Sequence, residues 1–207
     1  RQHCFKPGSQ LLDEGGVCRA MYEEPIVKAF RERTGRDPLQ IPNDDEEWMA
    51  FRAAYNTEYV RRVRELIRST KPEVQLGVMV RGIGHGGPQH RGDPYRECLL
   101  GVRRWAKEGL MDLLVGDQWM SRQRTPEQLA EQVKLSVSQV AGTPVEVALE
   151  MAIFDADLGL ISRGLPAVRD AGAVELALYQ DTVFEDSTVQ TGNDAWRELA
   201  GITEKYR

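Results

Sequence analysis

The chain has 207 residues, of which 29% are charged and 41% hydrophobic, and its formal net charge is −5. That mixture is too apolar for a disordered chain and supports a core of ordinary domain size. Acidic and basic residues are interspersed without a basic face, and no apolar run approaches the ~18 residues of a membrane span, so neither a nucleic-acid nor a membrane partner is expected.

The chain opens at Arg1, without a methionine or a signal peptide, so the native N-terminus is expected upstream. Compartment and oligomeric state leave no mark in the sequence. Cys4, Cys18 and Cys98 fit neither a disulfide framework nor a zinc spacing. Free thiols are expected, with a Cys4–Cys18 bridge as the alternative in a secreted protein. Cys98 is expected to be a small core residue.

From residue 44 onward helix-like and strand-like segments alternate. Asp44 or Asp45 caps a helix whose apolar residues Trp48, Phe51, Tyr55, Tyr59, Val63, Leu66 and Ile67 recur at helical spacing, and Lys71-Pro72 stops it. Val74 to Val80 reads as a strand, followed by a glycine-rich loop from Gly82 to Gly92. Asp93-Pro94 opens a second helix, with Cys98, Leu99, Val102 and Trp105 on its apolar side and Gly109 at its end.

Met111 to Val115 is the next strand, and Thr125-Pro126-Glu127-Gln128 is a capping box that starts a helix running to about Ala141. Val145 to Met151 is a strand; Leu160 to Ala171 is a helix whose start Gly164 and Pro166 weaken. Glu175 to Tyr179 is the last strand, and Asp194 to Tyr206 the last helix.

Short apolar strands alternating with helices predict parallel βα units. The fold class expected is α/β, of the (β/α)8 TIM-barrel type rather than a doubly wound sheet. A whole barrel needs ~250 residues and eight strands. Residues 1–207 therefore read as one partial barrel domain carrying about four βα units, with the other half upstream. Strand parity favours the barrel: Val145, Val147, Leu149 and Met151 share one face, and Glu146, Ala148 and Glu150 the other. Likewise Val74, Leu76, Val78 and Val80 oppose Gln75, Gly77, Met79 and Arg81. One bulky face suits a helix layer, and one small, polar face suits a barrel interior.

Several passages carry a resemblance. They are Tyr22-Glu23-Glu24-Pro25-Ile26-Val27-Lys28-Ala29-Phe30 with the following Arg31 to Pro38, Trp48-Met49-Ala50-Phe51-Arg52, Lys71 to Val78, and Trp105 to Asp112. Together they make most of residues 20 to 120 resemble the glycoside-hydrolase-like family-ten proteins, (β/α)8 proteins related to known glycosidases. The resemblance implies carbohydrate chemistry, a glutamate at the end of the seventh strand, and a fourth strand ending at or before Arg1. The chain departs from the family after the sixth strand, where Gly116-Asp117-Gln118-Trp119 stands in place of a Pro-Gln-x-Tyr type sequence. Fine specificity is therefore not carried over.

In such barrels the site lies at the C-terminal ends of the strands. Glu150 stands there on the inward face, where a carboxylate is costly unless paired or functional. Glycosidases use two carboxylates around an oxocarbenium-like transition state. Glu150 is the expected nucleophile or base, with Asp117 as its partner within this chain, and a salt bridge from Glu150 to Arg81 is the structural alternative. Glu23 and Glu24 are the alternatives to Asp117 as that second carboxylate, and their structural role would be to cap the helix that begins at Pro25.

Arg81, His85, Gln118, Trp119, Tyr179 and Gln180 are expected to bind substrate, the aromatics by stacking on a pyranose face and the rest through hydroxyls. No metal and no cofactor is expected. His85 and His90, with His3, are the only support for a metal-dependent hydrolase on the same fold. The other alternative is a non-catalytic carbohydrate-binding barrel.

Overall fold

A computed structural model describes residues 17–80, 93–118, 125–152, 158–179 and 192–204. The chain divides into two compact units, Arg1–Leu76 with Val80–Asp112, and Gly77–Met79 with Leu113–Arg207.

The first unit is helical. Helix α1 spans Glu24–Thr34 and ends at Gly35, whose φ of 72° needs the left-handed region that glycine enters freely. Helix α2 spans Glu46–Thr70, and Asp45 caps it by accepting from the Trp48 N–H. Short helices α3 (Pro94–Cys98) and α4 (Val102–Lys107) follow. The core between α1 and α2 is aromatic. Tyr22, Phe30, Trp48 and Phe51 are buried together, and Phe30 meets Trp48 edge-on at 4.9 Å between ring centroids.

Three expectations are corrected here. The predicted apolar face of α2 is buried only in its first turns: Tyr55, Tyr59 and Leu66 are 44%, 70% and 62% exposed. The second half of α2 is held by polar contacts instead, from Arg61 to Glu108, Arg64 to Asp112 and Arg68 to the Gly109 carbonyl. The single helix expected after Asp93 is two, because Leu99 adopts φ 57° and turns the chain. Consequently Leu99 and Glu97 are buried while Cys98 is only half-buried. Asp93 does cap α3 as expected, accepting from the Tyr95 and Arg96 N–H groups. Cys18 and Cys98 are not disulfide-bonded; Cys4 lies outside the described residues.

The second unit is an α/β layer. Strands β1 (Gly77–Val80), β2 (Leu113–Gln118), β3 (Glu146–Ala152) and β4 (Glu175–Tyr179) form one sheet in the order β1-β2-β3-β4. β3 pairs in parallel with both β2 and β4. Helices α5 (Pro126–Val140), α6 (Leu158–Asp170) and α7 (Gly192–Glu204) accompany them. The capping box at Thr125 and Gln128 forms as the sequence predicts.

Boundaries shift in three strands, β3 by a single residue. β1 begins at Gly77 rather than Val74. β2 lies two residues later than expected, so Asp117 and Gln118 are strand residues. Gly164 and Pro166 lie inside α6. A Cβ on Gly164 would sit 3.1 Å from Leu129 Cδ1, so glycine lets α6 approach α5 closely.

Sheet parity is as expected. A Cβ on Gly116 would meet Ser136 Oγ of α5 at 3.2 Å, and Gly116 pairs with Leu149. The row containing Gly116 and Leu149 thus faces the helix layer, and alternation puts Ala148 and Glu150 on the opposite face. A Cβ on Gly77 would meet Leu113 and Val115 side chains, which lie on that same opposite face.

Candidate active site

The C-terminal ends of β2 and β3 meet in register. Asp117 pairs with Glu150, Gln118 with Met151, and Glu150 in turn with Ala177 of β4. Asp117, Glu150 and Ala177 therefore occupy one row across the sheet. Tyr179 pairs with Ala152, two residues beyond Glu150 along β3.

Glu150 is 5% exposed, although it sits one position inside the sheet's rim among strand residues. Two alanines stand next to it on its face of the sheet. Ala148 precedes it by two on the same face, and Ala177 stands beside it. Glu146, two residues further down the strand from Ala148, is exposed.

Of the other expected site residues, Asp117, Gln118 and Tyr179 are placed by their backbone at the strand ends. Arg81, His85, Trp119 and Gln180 lie outside the described residues, as do His3 and His90. Among the described residues, no group of three or more His, Cys, Asp and Glu side chains is assembled that could hold a metal ion.

The model of the family described as glycosyl hydrolase-like 10 matches residues 10–155 of the chain. The chain belongs to the glycosyl hydrolase-like 10 family. No curated protein matches it. The stretch matched to the glycosyl hydrolase-like 10 family takes in β1, β2 and β3, and with them both Asp117 and Glu150.

Sequence reasoning missed the buried polar framework of the first unit. Arg52 is fully buried. Its Nη1 donates to the Cys18 and Ala20 carbonyls at 2.8 and 3.1 Å, its Nη2 to the Asn43 carbonyl at 2.9 Å, and its guanidinium lies 4.9 Å from the Trp48 ring centroid. The Tyr22 hydroxyl donates to Asn43 and accepts from Trp48 Nε1. Burial pushes the Cys18 thiol up, against the opposing pull of the Ala20 N–H and Arg52. The available signal was spacing: Arg52 follows Trp48 by one helical turn, on the face that packs.

Proposed function

We propose that this chain is part of a (β/α)8 glycoside hydrolase that cleaves a glycosidic bond in a polysaccharide or glycan, with Glu150 and Asp117 as its paired carboxylates. The observation that carries the proposal is their register: the two residues are direct neighbours at the C-terminal ends of β2 and β3, and Glu150 is buried there. Membership of a glycosyl hydrolase-like family supports carbohydrate as the substrate class. The parallel sheet in chain order is compatible with a segment of a barrel wall.

Adjacent strands lie about 4.8 Å apart, close to the ~5–5.5 Å that separates the carboxyls of retaining glycosidases. In that geometry Asp117 protonates the glycosidic oxygen while Glu150 attacks the anomeric carbon and forms a glycosyl ester. Water, deprotonated by Asp117, then displaces Glu150 and releases the sugar. Arg81, His85, Gln118 and Gln180 would bind hydroxyls, and Trp119 and Tyr179 would stack on the sugar.

Replacing Glu150 by Gln in the full-length protein keeps the side chain's shape and removes its charge. Hydrolysis should fall by orders of magnitude with glycan binding nearly intact, because the carboxylate acts on charge that develops in the transition state. Unchanged turnover would remove Glu150 from the mechanism. Binding without turnover in the wild type, over a broad glycan panel, would favour the non-catalytic barrel.

A further inference from the structure

Helix α2 is covered on two sides by two different parts of the chain. Trp48 meets the Tyr22 and Phe30 rings edge-on, and Arg52 donates to the Cys18, Ala20 and Asn43 carbonyls, all of which precede the helix. On the opposite side Trp105 Nε1 donates to Thr57 Oγ1 at 2.9 Å, and Arg61, Arg64 and Arg68 bond to Glu108, Asp112 and the Gly109 carbonyl, all of which follow it.

The cover from the preceding chain stops part-way along. Trp48, Arg52, Tyr55, Tyr59 and Leu66 succeed one another at steps of four, three, four and seven, so they share one face of the helix. Trp48 and Arg52 are fully buried, whereas Tyr55, Tyr59 and Leu66 are exposed. The stripe continues the core without a break, because Phe51 and Tyr55 meet edge-on at 5.6 Å between ring centroids. Single exposed apolar residues need no explanation, but a row that prolongs a buried seam marks a contact surface.

We infer that Tyr55, Tyr59 and Leu66 form a seam on which an apolar face of the preceding half of the barrel, polypeptide N-terminal to Arg1, packs. The covered turns of this face are covered by preceding chain, and the following chain already occupies the opposite face. The strands also stand in chain order with β1 at one end of the sheet, so in a barrel the neighbour beyond β1, with its helix, comes from the chain that precedes it. The inference rests on the barrel part of the reading above and not on its hydrolytic chemistry.

The test uses the full-length protein. Hydroxyl-radical footprinting read by mass spectrometry should modify Tyr59 and Leu66 several-fold less in the folded protein than in urea. A photo-crosslinking p-benzoylphenylalanine placed at position 59 should join, within one molecule, to a peptide N-terminal to Arg1. Leu66→Lys should lower the unfolding temperature, because it forces an unpaired ammonium into an apolar seam.

Equal modification of Tyr59 and Leu66 in folded and unfolded protein would overturn the inference, as would an unchanged unfolding temperature in Leu66→Lys. A crosslinked species of twice the mass would overturn it by assigning the face to a second copy, and a crosslink to a residue after Arg1 by assigning it to this stretch of chain. A crosslink to the upstream peptide in a protein that hydrolyses no glycan would support the seam and remove only the hydrolytic reading. Hydrolysis by a protein whose stripe is freely modified would overturn the seam and leave the hydrolytic reading standing.

Discussion

Arg64 and Asp112 form a two-pronged ion pair, Nη1 with Oδ2 and Nη2 with Oδ1. The same Oδ2 accepts from the Leu76 N–H at 2.8 Å, and the Asp112 N–H donates to the Leu76 carbonyl at 2.9 Å. One carboxylate thus joins the middle of α2 to the chain that follows it. Burial by itself would raise the Asp112 carboxyl, but the Arg64 guanidinium and the Leu76 N–H outweigh it and hold the group below the ordinary range.

Removing that guanidinium in Arg64→Met should cost about 1–3 kcal/mol at neutral pH, the range for a charge-assisted hydrogen bond lost in a partly buried setting. The Asp112 value is depressed on folding, so its stabilisation is complete above the unfolded value of about 3.9 and disappears as pH falls through the lower, folded value. Denaturant titrations of wild type and variant should therefore converge in acid. A gap that stays constant down to strongly acid pH would assign the effect to packing.

Arg52 should be among the least replaceable residues of the first unit. Arg52→Met removes the donor to three backbone carbonyls at once and should destabilise by about 3–5 kcal/mol. Arg52→Lys should recover only part of this, since a single ammonium does not reproduce the planar fork. Equal stability of the Lys variant and the wild type in denaturant melts would show that charge alone suffices.

Gly164 and Leu129 should behave as a coupled pair. Gly164→Val overpacks a contact whose Cβ would already lie 3.1 Å from Leu129 Cδ1, and should cost about 1–3 kcal/mol. Leu129→Ala opens a cavity in the same place. In a double-mutant cycle the combined change should be less harmful than the sum of the two. Simple additivity would mean that α5 and α6 adjust independently.

At the sheet's rim, Asp117→Asn in the full-length protein should lower hydrolysis as Glu150→Gln does. The double variant should be little worse than the poorer single one, because two groups that act in one step fail together. Multiplicative losses measured as kcat would assign the residues to separate tasks.

Much of the fold was legible because local chemistry set it. Thr125-Pro126-Glu127-Gln128 carries its own helix start, and the alternation along Glu146–Ala152 by itself sets Glu150 on the face away from α5. The break at Leu99 was not legible, since nothing in a leucine announces a positive φ; the turn arises from how Glu97 and Leu99 are both drawn inside. Tyr55, Tyr59 and Leu66 misled for a related reason. Helical spacing shows which residues share a face, but not how far along a helix of 25 residues a neighbour extends. The place of Glu150 on its strand, and the face it occupies, followed from position and parity. Its pairing with Asp117 required the register, which depends on where β2 begins, and short apolar runs leave that ambiguous by a residue or two.

The spatial order of the strands is also their order in the chain. Each strand therefore docks against the one synthesised just before it, and none has to wait for a distant part of the polypeptide to arrive. A sheet built this way can grow vectorially as the chain leaves the ribosome, one βα unit at a time, with only modest loop-closure entropy at each addition. The Asp117–Glu150 row needs only β2 and β3, with Ala177 of β4, the later strand, standing on its far side.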